Sequence, residues 1–278
     1  MDTSKTTNVK NSAYERSTST VVVEPLFSGS RGNCTLIRCG DVNILLDAGY
    51  SYRAILKALL ERGLTQADIT AIIVTHEHSD HIGALPYWCK SCPTPIYAPA
   101  PIADYLMQRV YFSEVREICG SFDIGGVTVD VFECSHDARS CCGYRFGKGG
   151  SYFACVTDTG CVTDALIEFL SPCAAIMLES NHDVKMLLEG PYPHLLKQRI
   201  LSDYGHLSNA QTAEVVQKLA NSRVKTIILA HLSEKNNTRE LAFNAAVEAI
   251  AANGLVEGRD VTVFVADQYE NEVMVCVD

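Results

Sequence analysis

The sequence predicts a single-domain, layered α/β fold with sheets inside and helices outside. Three observations carry that expectation. Strand-like apolar runs alternate with amphipathic helical stretches, the early strands are joined by hairpin turns, and no low-complexity linker divides the 278 residues. With 47% hydrophobic residues the chain can bury a substantial core. Residues 1–20 stand apart: they are polar, rich in Ser and Thr, and lack the apolar run of a signal peptide. They are expected to form a disordered leader to a domain spanning 21–278.

Val21-Val22-Val23 opens the first strand, and Phe27-Ser28-Gly29-Ser30-Arg31-Gly32-Asn33 follows as a glycine-rich loop. The loop lacks the Lys-Ser/Thr ending of a P-loop, so nucleotide cradling is not expected. It is either a plain tight turn or a loop in which Ser30, Arg31 and Asn33 reach a substrate phosphate. Residues 34–37 and 43–46 pair as a hairpin closed at Gly40-Asp41. Asp47 follows, placed to accept a hydrogen bond from behind a metal ligand. Ile55, Leu56, Leu59 and Leu60 give a helix over 52–62 one apolar face, with Gly63 as its stop.

The run Ala71-Ile72-Ile73-Val74 reads as a buried strand that delivers Thr75-His76-Glu77-His78-Ser79-Asp80-His81. Ser79 or Asp80 is expected to cap a short helix beginning at about His81. A strand over 95–98, a helix over 102–110 and a strand over 126–133 come next, the last ending at Ser135-His136-Asp137. Residues 143–146 and 151–156 alternate as a second hairpin that ends at Asp158. The strand at 174–178 leads into Glu179-Ser180-Asn181-His182, where His182 reads as a loop histidine without a role. A helix over 193–201 precedes Gly205-His206-Leu207-Ser208, and Ser208 caps a helix to 220. Lys197 and Arg199, near Tyr192 and Tyr204, are placed to contact a backbone phosphate, but a solvated helix face is the favoured reading. The strand at 226–230 sets His231 at its tip, and a helix over 238–251 precedes strands at 261–265 and 273–277.

Composition narrows the function. A formal charge of -10, from 33 acidic and 23 basic residues, argues against a broad basic nucleic-acid footprint or an anionic-membrane surface. It leaves room for a phosphate-bearing substrate, because divalent cations in a cleft reverse the local field. No apolar run approaches the ~20 residues needed to span a bilayer. Twelve cysteines are scattered rather than set out as a secreted disulfide framework, so a reduced, cytoplasmic protein is expected. The single CxxC, Cys89 to Cys92, has no second pair to make a zinc ribbon and reads as structural.

Three imidazoles and two carboxylates within seven residues point to a metal site. Strand after strand then ends in a further donor: His136, Asp158 and His231. His76, His78 and His136 can close around one ion, and Asp80, His81 and His231 around a second, with Asp158 bridging. Two ions about 3.5–4 Å apart would activate a water and clamp the oxygens of a displacement.

These residues, in the order His76-x-His78-x-Asp80-His81, His136, Asp158, His231, resemble the motif pattern of the metallo-β-lactamase superfamily, and Asp47 matches its first acidic motif. The resemblance covers nearly all of the chain from about residue 21. It implies an αββα sandwich and a dinuclear site, with zinc favoured and manganese admissible. Phe27-Ser28-Gly29-Ser30-x-Gly32-Asn33, Ser135-His136-Asp137-Ala138, Glu179-Ser180-Asn181-His182-Asp183 and Gly205-His206-Leu207-Ser208-Asn209 are similar to the YycJ/WalJ group, bacterial cytosolic members implicated as 5'-to-3' DNA exonucleases. Glu179 and His206 resemble the Glu–His pair that tRNase Z and related phosphodiesterases place beside their metals.

The resemblance implies phosphodiester hydrolysis of nucleic acid, DNA in preference to RNA, by a metal-activated hydroxide. Asp80 would accept the nucleophile's proton, and His206, held by Glu179, would orient the phosphate or protonate the leaving oxygen. Ser30, Asn33 and His206 are the expected substrate contacts. The rival expectation is a small-substrate hydrolase, a glyoxalase-type thioesterase or lactonase, on the same metal site. The stretch between Asp158 and His231 is too short for the cap domain of β-CASP nucleases. No oligomeric state follows from the sequence.

Overall fold

A computed structural model describes residues 20–269 and 271–277, so the expected leader, Thr20 apart, lies outside the described residues. The first part of the chain runs β1 (Val21–Phe27), β2 (Cys34–Cys39), β3 (Val42–Leu46), α1 (Tyr52–Glu61), β4 (Ala71–Ile73), α2 (Ser79–Ile82), α3 (Leu85–Ser91), β5 (Ile96–Pro99), α4 (Ala100–Met107) and β6 (Val115–Ile118). It continues through β7 (Phe122–Ile124), β8 (Val127–Glu133), β9 (Cys142–Lys148), β10 (Ser151–Val156), α5 (Asp164–Leu170), β11 (Ala175–Glu179), α6 (Val184–Glu189) and α7 (His194–Ile200). The last elements are α8 (Asn209–Lys218), β12 (Thr226–Ala230), α9 (Arg239–Ala252), β13 (Thr262–Val265) and β14 (Val275–Val277).

The strands form two seven-stranded sheets, ordered β14-β1-β2-β3-β4-β5-β6 and β13-β12-β11-β10-β9-β8-β7. In the first, β14, β1, β2 and β3 pair antiparallel, and β3 to β6 pair parallel. In the second, β7 to β10 pair antiparallel, and β10 to β13 pair parallel. Side chains alternate between the faces of a strand, and here both faces are covered, which is why these strands read as continuous apolar runs. Ile37, Ile44 and Ile73 face the space between the sheets with Phe146, Phe153 and Ile228. Their neighbours Leu36, Leu45 and Ile72 turn outward onto α1, α3 and α4, meeting Ile55, Leu59 and Trp88. On the second sheet Ala154, Leu178 and Leu229 pack outward against α5, α8 and α9 through Leu166, Val215 and Ala246. Three apolar interfaces separate four layers, the αββα sandwich implied by the resemblance.

Most element expectations stand within two or three residues. The short helix differs: it begins at Ser79 with His78 as N-cap, and no side chain caps it. That register puts Asp80 and His81 in one helical turn. Helices α3, α5 and α6, of six or seven residues, and the edge strands β6 and β7 escaped the sequence reading because they are too short to show a period. Among the described residues no disulfide joins any of the cysteines, and no helix is long and apolar enough to cross a membrane.

Candidate metal centre

Parallel strands deliver the polar groups of the centre at their carboxyl ends, where open α/β sheets present ligands. Asp47 follows β3, His76 lies just past β4, Asp158 follows β10, Glu179 closes β11 and His231 follows β12. Asp47, Asp158 and His231 have φ of 62°, 58° and 56°, the only left-handed non-glycine residues among those described. Such backbone is costly and persists where the surroundings hold it in place. Two hydrogen bonds tie the sheets together here: Tyr144 Oη donates to Val74 O at 2.8 Å, and Cys142 N to Thr75 O at 3.1 Å.

All seven residues expected as metal ligands come together. His76, His78 and His136 present nitrogens within 4.8 Å of one another, as do the donor atoms of Asp80, His81 and His231. A third group, His76, His81 and Asp158, overlaps both and sets Asp158 between them. Asp158 Oδ2 lies 3.4 Å from His81 Nε2, and Asp158 Oδ1 lies 3.9 Å from His136 Nε2. The imidazoles crowd closely: ring centroids are 4.0 Å apart for His76 and His81 and 4.5 Å for His76 and His78.

Behind the donors, fixed acceptors set each ring. His81 Nδ1–H donates to Asp47 Oδ2 at 2.7 Å, and Thr75 binds the same carboxylate through its backbone N–H and its hydroxyl. His136 Nδ1–H donates to Gly205 O at 3.1 Å. Glu179 Oε1 accepts from both His231 Nδ1 and His206 Nδ1, each at 2.8 Å. A second nearby grouping of Asp158, Glu179, His206 and His231 is therefore a hydrogen-bond cluster, with Glu179 as its acceptor. Anchoring at Nδ1 leaves Nε2 as the free donor.

Those free donors are the test of whether a metal fits. His76 Nε2, His136 Nε2, His231 Nε2 and Asp158 Oδ2 are buried with no hydrogen-bond partner. Four such atoms within the overlapping donor groups are unfavourable unless cations take them. The residues present fit a divalent cation held by nitrogen and oxygen.

Electrostatics divides the histidines. Burial, with the neighbouring imidazoles, holds His76 well below the usual histidine value, and burial also lowers His136. Burial works against the charged form in His81 too, but Asp47, Asp158 and Asp80 prevail and raise it to about 9. Against the same opposition, Asp158, Asp80 and Glu179 raise His231, and Glu179 and Asp158 raise His206. Burial pushes Glu179 up, yet His206 and His231 hold it below the usual carboxylate range. Burial thus favours neutral rings at His76 and His136, while the surrounding carboxylates favour the charged form at His81 and His231, so that protons compete there with a cation.

A pocket of about 240 Å³ opens at the donors, lined by the polar His78, Asp80, His136, Asp158, His206 and His231 and by Tyr192, Leu196 and Ile200. Ser30 lines it. Asn33 does not: it is buried, with Nδ2 against Gly29 O at 3.3 Å and His81 Nε2 at 3.0 Å, so it braces the loop instead of facing the pocket. Arg199, read from sequence as a solvated face, lines the pocket and pairs with Asp137. His182 is fully buried and outside the cluster, with neither ring nitrogen partnered. Thr75, Ser28 and Asn181 were missed. Ser28 Oγ accepts from His231 N at 2.9 Å, and Asn181 Nδ2 donates to His231 O at 2.9 Å. All three lie in stretches the sequence reading had marked, but short polar residues in a loop carry no distinctive spacing.

Fold and donor set together define a metallo-β-lactamase-type scaffold. The chain belongs to that family: a model described as the Beta-lactamase superfamily domain matches residues 42–232. It is 36% identical over 246 residues to a Streptococcus pneumoniae protein named Exodeoxyribonuclease WalJ, covering 86% of this chain and 91% of that one. It is 35% identical over 239 residues to a Bacillus anthracis protein named Exodeoxyribonuclease YycJ, covering 84% and 90%. Among solved structures, the metallo-beta-lactamase fold protein YhfI from Bacillus subtilis superposes with a TM-score of 0.70 at 16% identity, covering 93% of this chain and 99% of that one. The short form of human tRNase Z superposes at 0.64 with 18% identity, covering 92% and 99%. At those identities the two structures speak for the fold alone.

Proposed function

We propose that this chain is a metal-dependent phosphodiester hydrolase that degrades DNA from the 5' end. The observation that carries the reading is Glu179. Its single oxygen Oε1 holds His231, in the donor cluster, and His206, on the pocket wall, so that a second imidazole is aimed at the space beside the donors. That arrangement suits a phosphate, which needs a proton donor or charge partner opposite the metals. The two relatives named exodeoxyribonuclease support the same substrate.

His76, His78 and His136 would hold one divalent ion and Asp80, His81 and His231 the other, with Asp158 between them; zinc is favoured and manganese admissible. When bound, the ions supply Lewis acidity that acidifies water and neutralises phosphate charge. Asp80, which lines the pocket, would accept the attacking water's proton. His206, with Nδ1 committed to Glu179, presents Nε2 to the phosphate or to the leaving oxygen. Ser30, which lines the pocket with Tyr192, Leu196 and Ile200, would contact the substrate.

A digestion panel tests the proposal, using 5'- and 3'-labelled single- and double-stranded DNA and RNA, each with zinc and with manganese. Stepwise release of nucleotides from the 5' end of DNA is expected. Hydrolysis confined to an S-acyl glutathione, with DNA and bis-p-nitrophenyl phosphate untouched, would replace it with the thioesterase reading.

A further inference from the structure

Beside the metal centre lies a second groove, of about 400 Å³, between helix α4 and the loop that carries His136. Helical spacing builds one bank: Pro101, Asp104, Tyr105, Gln108 and Arg109 fall on one face of α4 and its extension. The Arg109 guanidinium lies over the Tyr105 ring, 3.6 Å from its centroid. Arg139, on the other bank, reaches the same ring at 5.3 Å. Two guanidinium groups held on one tyrosine ring make a weakly hydrated donor surface.

The chain ties the groove to the centre. Arg139 stands three residues beyond His136, and its backbone N–H donates to Glu77 Oε1 at 2.9 Å. Glu77 itself lies between His76 and His78. Both guanidinium groups keep donors available. Arg109 Nη1 donates to Tyr105 O at 3.0 Å, and Arg139 Nε approaches Glu77 no closer than 3.9 Å, with its side chain 61% exposed. Asp104 is the one carboxylate on the walls, and among the described residues it forms no ion pair with either arginine.

We propose that this groove is a second binding site, one that takes the phosphodiester backbone of a polynucleotide strand running on from the scissile phosphate. The site rests on the phosphodiesterase reading above. Stacked arginine and tyrosine beside a phosphate-cutting centre form the sequence-tolerant grip that a single strand needs. A protein of net charge -10 that holds a polyanionic strand needs cations gathered in such a track.

The experiment compares wild type with Arg109→Ala/Arg139→Ala on a dinucleotide, on bis-p-nitrophenyl phosphate and on a single strand of about twenty nucleotides. KM for the long strand should rise about tenfold, and the dependence of its log kcat/KM on log salt should flatten by about 1.4, while both small substrates are cut as before. Equal losses on small and long substrates, or no loss on the long strand, would overturn the groove. Arg109→Lys/Arg139→Lys keeps the charges but not the stacked forks, and should restore the salt slope without restoring KM. Fluorescence anisotropy of a labelled single strand on chelator-treated protein tests the groove without turnover. If no nucleic acid is cleaved and wild type still binds the strand more tightly than the alanine pair, the nuclease reading fails and the groove stands. Equal binding by both proteins, or competition by polyglutamate as effective as by DNA, would refute the groove itself.

Discussion

Glu179 has no exposed surface and accepts four hydrogen bonds, from His206, His231 and the backbone N–H groups of Thr159 and Leu207. A carboxylate so held fixes two rings at once, and Glu179→Gln, which sets an amide N–H₂ against those donors, should weaken metal affinity about 10–100-fold in titration calorimetry. His206→Ala removes only the pocket-facing ring. It should lower kcat on bis-p-nitrophenyl phosphate about 100-fold with metal content unchanged by mass spectrometry; intact turnover would remove His206 from the mechanism. His182 bears on stability. Burial holds its pKa down at about 4, so between the unfolded value near 6.5 and about 4 the unfolded chain binds the extra proton, and stability falls as pH falls through that window. In the presence of chelator, His182→Gln should lose less stability than wild type between pH 6.5 and 4, read as the shift in urea midpoint. The histidines and aspartates of the centre were legible because their spacing is distinctive. His182 was not, since nothing local to Asn181-His182-Asp183 separates a buried ring from an exposed one.

At the scale of elements, the loops after β1, β3 and β4 are knit together. Asn33 N donates to Asp80 O at 2.7 Å, Ala48 N to His81 O at 2.8 Å and Gly49 N to Asn33 O at 2.9 Å. Gly49 lies so close that an added Cβ would stand 1.6 Å from Asp80 O. Gly49→Ala should therefore cost about 4 kcal/mol or more in thermal or denaturant unfolding and also lower metal stoichiometry, because the loop can yield only by shifting Asp80 and His81. A stability loss without loss of metal would contradict that coupling. Sequence pattern located β2, β3, β4, β10, β11 and β12 well, since each is a bounded apolar run covered on both faces. It could not assign them to two separate sheets: the run in β4 looks the same whether its second face meets a helix or another sheet. The left-handed turns at Asp47, Asp158 and His231 were also invisible, because their conformation is imposed by the hydrogen bonds around them.

For the molecule as a whole, the donors come from both sheets: His76, His78, Asp80 and His81 from the first, His136, Asp158 and His231 from the second. A cation there joins the two halves, and its removal leaves buried nitrogens and a buried carboxylate oxygen without partners. Chelation should lower the melting temperature by about 10 °C and readdition of zinc should restore it, as read by differential scanning calorimetry. An unchanged melting temperature would mean that the centre binds no metal strongly. The two sheets also obey one rule: each passes from four antiparallel strands into three parallel ones, and the fourth strand of each, β3 and β10, leads into an Asp-x-Gly turn with the aspartate left-handed. Asp47 and Asp158 thus occupy equivalent places in a pseudo-twofold scaffold. Their tasks nonetheless differ: Asp47 braces His81 from behind, while Asp158 stands among the donors. The symmetry ends at the centre, where one copy of the same turn supports a ligand and the other offers one.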